Sequence, residues 1–338
     1  MNTPAPSATP ERILQFAWAF APPLLIEAAV RHRVFDILAE QRATLAELVQ
    51  DSGASSRGLA ALLDALVGLG LLARDDDGTY ALTAESDAFL VSHRPGFLGG
   101  LFRHMSVQLL PNWMHLAEVV ATGRPRVETR TPAEAASFFA EFVEALFPLS
   151  YPSARALAAA LGVARASGPV SVLDLGAGSG VWGIALAQAS PQVTVRAIDF
   201  PEVLAVTRRV AGRFGVADRL VAVAGDLHEA EFGTGHHIAT LGQILHSEGE
   251  QRSRALLRRT HAALAPGGTI AIAEHLVDAD RRGPLNGLIF AVNMLVNTEA
   301  GATFSFAEIA GWLGNAGFTA AHQLPVPGPS PLILATRA

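Results

Sequence analysis

The residues best placed to do chemistry form one run, Asp174-Leu175-Gly176-Ala177-Gly178-Ser179-Gly180, set between apolar Val170-Ser171-Val172-Leu173 and helix-forming Val181 to Ala187. The apolar segment reads as a short strand buried on both faces. Strand, glycine turn and helix make the opening unit of a doubly wound sheet, which binds a nucleotide-like ligand over its strand ends. Glycines in such a turn accept positive φ and let the ligand approach bare backbone. Gly178-x-Gly180-x-x-Gly183 also fits the dinucleotide pattern, so a nicotinamide coenzyme stays open as an alternative. A pyrophosphate wants a helix N-terminus with no anion nearby. Asp174, read as the strand's end, would repel it. The same carboxylate suits the ammonium and sulfonium of S-adenosylmethionine, and on this electrostatic ground the methyl donor is the favoured ligand.

The elements around this turn alternate short apolar strands with helices, which specifies an α/β fold with a doubly wound, mostly parallel sheet. A second strand, Val193 to Ile198, ends at Asp199, about 20 residues past the glycine turn, where an acidic residue reaches ribose hydroxyls. A third, Leu220 to Ala224, runs into Gly225-Asp226-Leu227. A fourth, Ile238 to Leu245, delivers His246, and a basic helix follows from Arg252 to Leu264. A fifth, Thr269 to Ala273, ends at Glu274-His275. Leu332 to Thr336 closes the sheet. Ser305 with Glu308 caps a helix from Phe304 to Ala316. His236 and His237 fall in a glycine-rich loop and read as solvated; His275 reads as incidental.

Whole-chain properties bound the rest. Half of the 338 residues are hydrophobic and 17% are charged, so a large core is available. The net charge of −6 argues against a phosphate-tracking surface. The chain has no cysteine, which excludes disulfides, thiolate catalysis and zinc-thiolate sites. Residues 1–10 read as a disordered tail and not as a signal peptide. The apolar stretch Phe16 to Val30, with Pro22, Pro23 and Glu27, reads as too short for a membrane span. The expectation is a cytoplasmic protein with no membrane partner.

From Arg12 to Ala39 the pattern is helical and apolar on every side, interrupted at Pro22-Pro23, and such a segment needs cover. A second subunit would supply it. Thr44 and Glu47 make a capping box. Ser55 to Leu72 is a helix with Leu59, Leu62, Leu63, Leu66 and Leu69 on one face, and a hairpin turns at Asp77-Gly78. Helices followed by a hairpin spell a winged helix. Its second helix offers only Arg57 and its wing carries three aspartates, so it lacks the cations that nucleic acid demands. Beyond it, Thr131-Pro132-Ala133-Glu134 starts an aromatic helix containing Phe138, Phe139, Phe142 and Phe147. Most of these rings read as packing; one or two would line a pocket for a flat substrate.

In order along the chain, Leu173 to Gly180, Asp199-Phe200-Pro201-Glu202-Val203, Gly225-Asp226-Leu227, Ile244-Leu245-His246 and Leu264-Ala265-Pro266-Gly267-Gly268 resemble the motifs of S-adenosylmethionine-dependent methyltransferases of the plant caffeate and bacterial polyketide O-methyltransferase type. The resemblance spans nearly the whole chain, because that family also carries an N-terminal winged-helix dimerisation domain. It implies a homodimer with a winged-helix domain over 11–105, a helical connector over 106–165 and a donor-binding catalytic domain over 166–338. It implies that Asp174, Gly176 and Gly178 face the methionine end of the donor, Asp199 and Phe200 its ribose side, Asp226 and Leu227 its adenine, and that Gln243 lies along it. His246 takes the family's general-base position and Glu274 that of the residue orienting it, with no metal. An imidazole suits removal of a hydroxyl proton near neutral pH, and a carboxylate on its other nitrogen would set the tautomer. Phe147, Asn293, Met294 and Asn297 are the expected pocket for a small hydroxylated substrate. Two positions depart from the family pattern: Ser247-Glu248 stands where Asp-Trp is common, and Thr303 lies in a segment where a second acid is expected. The alternatives are therefore carbon methylation of a keto acid or ring, with or without a metal, and a donor-sensing transcription regulator.

Overall fold

A computed structural model describes residues 8–126, 142–328 and 330–338. The expected helix start at Thr131-Pro132-Ala133-Glu134, with Phe138 and Phe139, lies outside the described residues. The chain divides into two compact units, Met1–Leu110 and Pro111–Ala338.

The first unit is helical with one hairpin. Helices Glu11–Ala17, Ala21–Arg31, Val34–Glu40, Leu45–Ser52 and Ser56–Gly68 lead into the antiparallel strands β1 (Leu72–Arg74) and β2 (Tyr80–Leu82). Local chemistry explains most of these boundaries. Thr44 and Glu47 form a reciprocal capping box. Ser55 caps the next helix through the Gly58 N–H. Leu59, Leu63 and Leu66 of that helix are buried with Phe35, Leu48 and Tyr80, while Leu69 is largely exposed. The expected interruption at Pro22-Pro23 falls elsewhere: the chain breaks just before Ala21, and the two prolines occupy the first turn of the following helix. A proline there lacks only an N–H that has no partner anyway. Residues 11–31 are also longer as an apolar stretch than Phe16 to Val30 suggests, enough by length and composition to cross a membrane. Ile13, Leu14, Phe16, Trp18 and Phe20 of this stretch are all more than half exposed.

The second unit is built on a seven-stranded sheet of order β5-β4-β3-β6-β7-β9-β8. Its strands are β3 (Val170–Leu175), β4 (Val193–Asp199), β5 (Leu220–Ala224), β6 (His236–Gly242), β7 (Leu264–Ala273), β8 (Phe318–Leu324) and β9 (Leu332–Arg337). The first five are parallel; β9 and β8 run antiparallel at one edge. β8 has no counterpart in the sequence reading. It is an edge strand of mostly exposed residues, so it lacks the apolar run that identifies buried strands. Helices cover both faces. Val172 and Val195 pack with the helices Phe147–Ala160, Val181–Ala189 and Pro201–Arg213. Leu173, Leu175 and Leu241 pack with Leu245–Ala263 and Phe306–Asn315.

Three strand boundaries bear on the site. β3 continues through Asp174 to Leu175, pairing Asp174 with Ala197 on one side and Thr240 on the other. β6 ends at Gly242, and a helix begins at Leu245, so His246 stands in a first helical turn and not at the end of a strand. His236 belongs to β6 and is buried, against the expectation of a solvated loop. Its ring bonds the Phe232 carbonyl at 2.8 Å and the Ser171 hydroxyl at 2.8 Å, and burial lowers its pKa.

Candidate active site

The turn after β3 holds Gly176, Gly178 and Gly180 at φ of 60°, 56° and 79°. Gly176 is needed twice over, since an added Cβ would also stand 2.3 Å from Cδ1 of Ile244. Leu227 approaches the same point, so the loops after β3, β5 and β6 converge on this glycine. Gly178 has more room, and its N–H donates to Oδ2 of Asp199 at 2.8 Å. The other oxygen of Asp199 accepts from the Phe200 N–H, also at 2.8 Å. Burial raises the Asp199 carboxyl to about 6 against these two stabilising donors. One protein donor on each oxygen leaves lone pairs for a pair of hydroxyls. Asp226 accepts from the His228 N–H at 2.7 Å, and Arg259 bonds the Leu227 carbonyl.

Gln243, expected to lie along the donor, has an unusual geometry. Its backbone sits at φ 63°, while its N–H donates to the Ala273 carbonyl at 2.8 Å. Its Oε1 is buried without a hydrogen-bond partner among the described residues. A left-handed, non-glycine residue with an orphaned acceptor stores strain of the kind found at binding sites.

Asp174 corrects the electrostatic argument that opened the sequence reading. It is fully buried inside β3, on the face covered by the helix Val181–Ala189. Its Oδ2 accepts from the Gly183 N–H at 3.0 Å and its Oδ1 from the Thr240 hydroxyl at 2.6 Å. Burial pushes its carboxyl up to about 7 despite those donors. Asp174 therefore ties strand, turn and helix together from below. It presents no free carboxylate to a cationic ligand.

His246, in the helical turn after β6, and Glu274, directly after β7, are brought together because β6 and β7 are neighbours. Glu274 follows β7 and is 3% exposed; His246 is 9% exposed. Oε2 of Glu274 lies 2.7 Å from Nδ1 of His246, and Oε1 accepts the His246 backbone N–H at 3.3 Å. Burial works against ionisation of Glu274, yet the His246 imidazole and its N–H outweigh it and hold the carboxyl below its ordinary value. A carboxylate at Nδ1 places the proton on that nitrogen and leaves Nε2 with its lone pair. The helix that carries His246 bends at Gly249, whose φ 72° and ψ 173° only glycine adopts readily. Ala302 donates its N–H to the His246 backbone carbonyl at 2.8 Å, so Glu274 holds the ring while Ala302 holds the main chain that carries it.

Beside this pair stand two rings that the sequence reading set aside or missed. Phe290 meets His246 edge-on at 4.9 Å between centroids and lies over His275 at 3.9 Å. Phe290 sits on the helix Leu285–Asn297, which also carries Asn293, Met294 and Asn297. The two asparagines are partly committed. Oδ1 of Asn293 accepts from the Trp113 indole at 2.9 Å and Oδ1 of Asn297 from Asn112 at 2.7 Å. Met294 is buried. Phe147 has different neighbours. It is buried in the core, stacked with Tyr151 at 5.0 Å and with Phe214 at 4.8 Å.

The chain is similar to known proteins along nearly its whole length. The O-methyltransferase domain family matches residues 113–319, and the O-methyltransferase dimerisation domain matches residues 14–92. The tetracenomycin polyketide synthesis 8-O-methyl transferase of Streptomyces glaucescens is 31% identical over 96% of each chain. The 3-hydroxy-5-methyl-1-naphthoate 3-O-methyltransferase of Streptomyces sahachiroi is 31% identical over 94% of this chain and 91% of its own. The structure of human N-acetylserotonin methyltransferase in complex with S-adenosylmethionine superposes with a TM-score of 0.87 at 26% identity, covering 99% of this chain and 100% of that one. The chain belongs to the O-methyltransferase family, as an S-adenosylmethionine-dependent methyltransferase with an N-terminal dimerisation domain.

Proposed function

We propose that the protein works as a homodimer that methylates a hydroxyl of a small, flat, largely apolar aromatic molecule of the phenolic or polyketide class, with His246 as general base. The observation that carries this reading is the Glu274–His246 pair, whose 2.7 Å contact engages Nδ1 and leaves Nε2 without a hydrogen-bond partner among the described residues, beside a wall of rings. The substrate class rests on that aromatic wall and on relatives named for tetracenomycin polyketide synthesis and for a hydroxynaphthoate.

The residues at the strand ends fit the donor. Gly176 and Gly178 would offer backbone, Asp199 lone pairs for ribose hydroxyls beside Phe200, Asp226 and Leu227 contacts to the adenine, and Gln243 an Oε1 that has no hydrogen-bond partner among the described residues. S-Adenosylmethionine, when bound, supplies an electrophilic methyl on sulfur and leaves as the neutral thioether. His246 takes the acceptor proton at Nε2 as the oxygen becomes nucleophilic, and Glu274 balances the imidazolium that results. The part-buried rings of His275 and Phe290 beside His246 would shield the oxygen and hold it in line, and that positioning provides much of the acceleration.

His246→Ala should lower kcat by about 10²- to 10⁴-fold, the usual contribution of a general base. Calorimetry with S-adenosylhomocysteine should give unchanged affinity in the same variant. Turnover near the parent level would remove the base assignment, whereas loss of the calorimetric signal would point to a structural role instead.

A further inference from the structure

We propose that His275 determines specificity by hydrogen-bonding a second oxygen of the acceptor, one carried ortho or peri to the hydroxyl that faces His246. The proposal rests on the reading of this cleft as the acceptor site. Three rings form its wall: His246, His275 and Phe290, with His246 and His275 centroids 6.1 Å apart and Phe290 against both. The contacts of the His275 imidazole are with rings, and no hydrogen bond to it acts among the described residues. It is only part-buried, so its polar edge is open to a ligand. Phe290 lies over it at an angle of 32°, which fixes the plane of the ring while leaving its nitrogens unengaged.

Two imidazoles 6.1 Å apart, each reaching about 3 Å to a hydrogen-bond partner, address neighbouring oxygens of one molecule and not oxygens at its opposite ends. Their roles differ because their surroundings differ. Glu274 holds one nitrogen of His246, whereas burial and then the neighbouring His246 push the His275 pKa down to about 4. His275 is therefore neutral near pH 7, with one nitrogen donating and the other accepting. A neutral ring can donate to a ketone or accept from a phenol without competing for the proton that His246 removes. Once a bound acceptor covers that edge, an acceptor lacking the second oxygen leaves the ring nitrogen unpaired and binds less tightly.

The test uses the full chain saturated with S-adenosylhomocysteine, titrated calorimetrically with peri-dihydroxynaphthalene and with α-naphthol. The parent should bind the diol about tenfold more tightly. His275→Phe, which keeps a ring against Phe290, should bring the two affinities together while α-naphthol binding stays within about twofold. His275→Asn, which keeps a polar edge, should restore part of the preference. Equal affinities in the parent, a preference that survives His275→Phe, or parallel loss of both ligands would each overturn the proposal. No binding of either naphthalene to a chain that still takes S-adenosylhomocysteine would also overturn it. Absence of the S-adenosylhomocysteine signal would instead sink the underlying reading of the site.

Discussion

At the residue scale, Asp174 shows how the same side chain can support the right ligand for the wrong reason. The donor inferred from its charge is the one the family uses, yet the carboxylate lies beneath the turn with both oxygens engaged. Its pKa is raised from 3.8 to about 7, so the folded state holds the proton more tightly than the unfolded chain. The sign follows directly: this contribution is complete below pH 3.8 and is lost as pH rises to about 7, by at most ~1.4 kcal/mol per pH unit. Asn at this position cannot ionise, and its amide can still meet the Gly183 N–H and the Thr240 hydroxyl. Asp174→Asn should therefore match the parent in acid and become the more stable of the two as pH rises towards about 7. Urea unfolding at both ends of that range measures the difference, and parallel stability curves would contradict the assignment.

At the scale of elements, helix starts were the most legible part of the chain. The capping boxes at Thr44 with Glu47 and at Ser305 with Glu308 are present as their spacing implies, because a cap involves residues only three apart. Strand ends were harder. Asp174 and His246 sit at polar breaks in apolar runs, but β3 runs past its break and β6 stops short of Leu245. Pairing with β4 and β6 carries Asp174 into the sheet, and no local pattern encodes that pairing. The bend at Gly249 is the clearest element-level device at the site. A Cβ there would stand 2.5 Å from the Ala300 carbonyl oxygen, two residues before the N–H that holds the His246 carbonyl. Gly249→Ala should cost about 1–3 kcal/mol of stability. It should also reduce kcat more than donor affinity, which steady-state kinetics and calorimetry on one preparation can separate.

For the whole molecule, the exposed apolar face at the N-terminus is the feature most in need of a partner. Phe16 and Trp18 are 66% and 73% exposed, on a stretch that the dimerisation domain family covers from residue 14. Burying one such side chain contributes about 1.5–3 kcal/mol. Phe16→Glu combined with Trp18→Glu should therefore shift the protein towards monomer in sedimentation velocity. An unchanged dimer would place the subunit interface elsewhere, and a parent that sediments as monomer would remove the homodimer from the proposed function.

Read alone, the chain determined what depends on near neighbours: the alternation of strand and helix, the glycine turn, the caps, and the types of residue that follow each strand. Those features are local because backbone preference and apolar period are local. Only the tertiary structure decided where the side chains go. It turned Asp174 inward, moved Phe147 into a stack with Tyr151 and Phe214, drew His236 into a strand, and set His275 and Phe290 beside His246. Each of these outcomes depends on register or packing between segments distant in sequence, where one residue's shift exchanges the two faces of a strand.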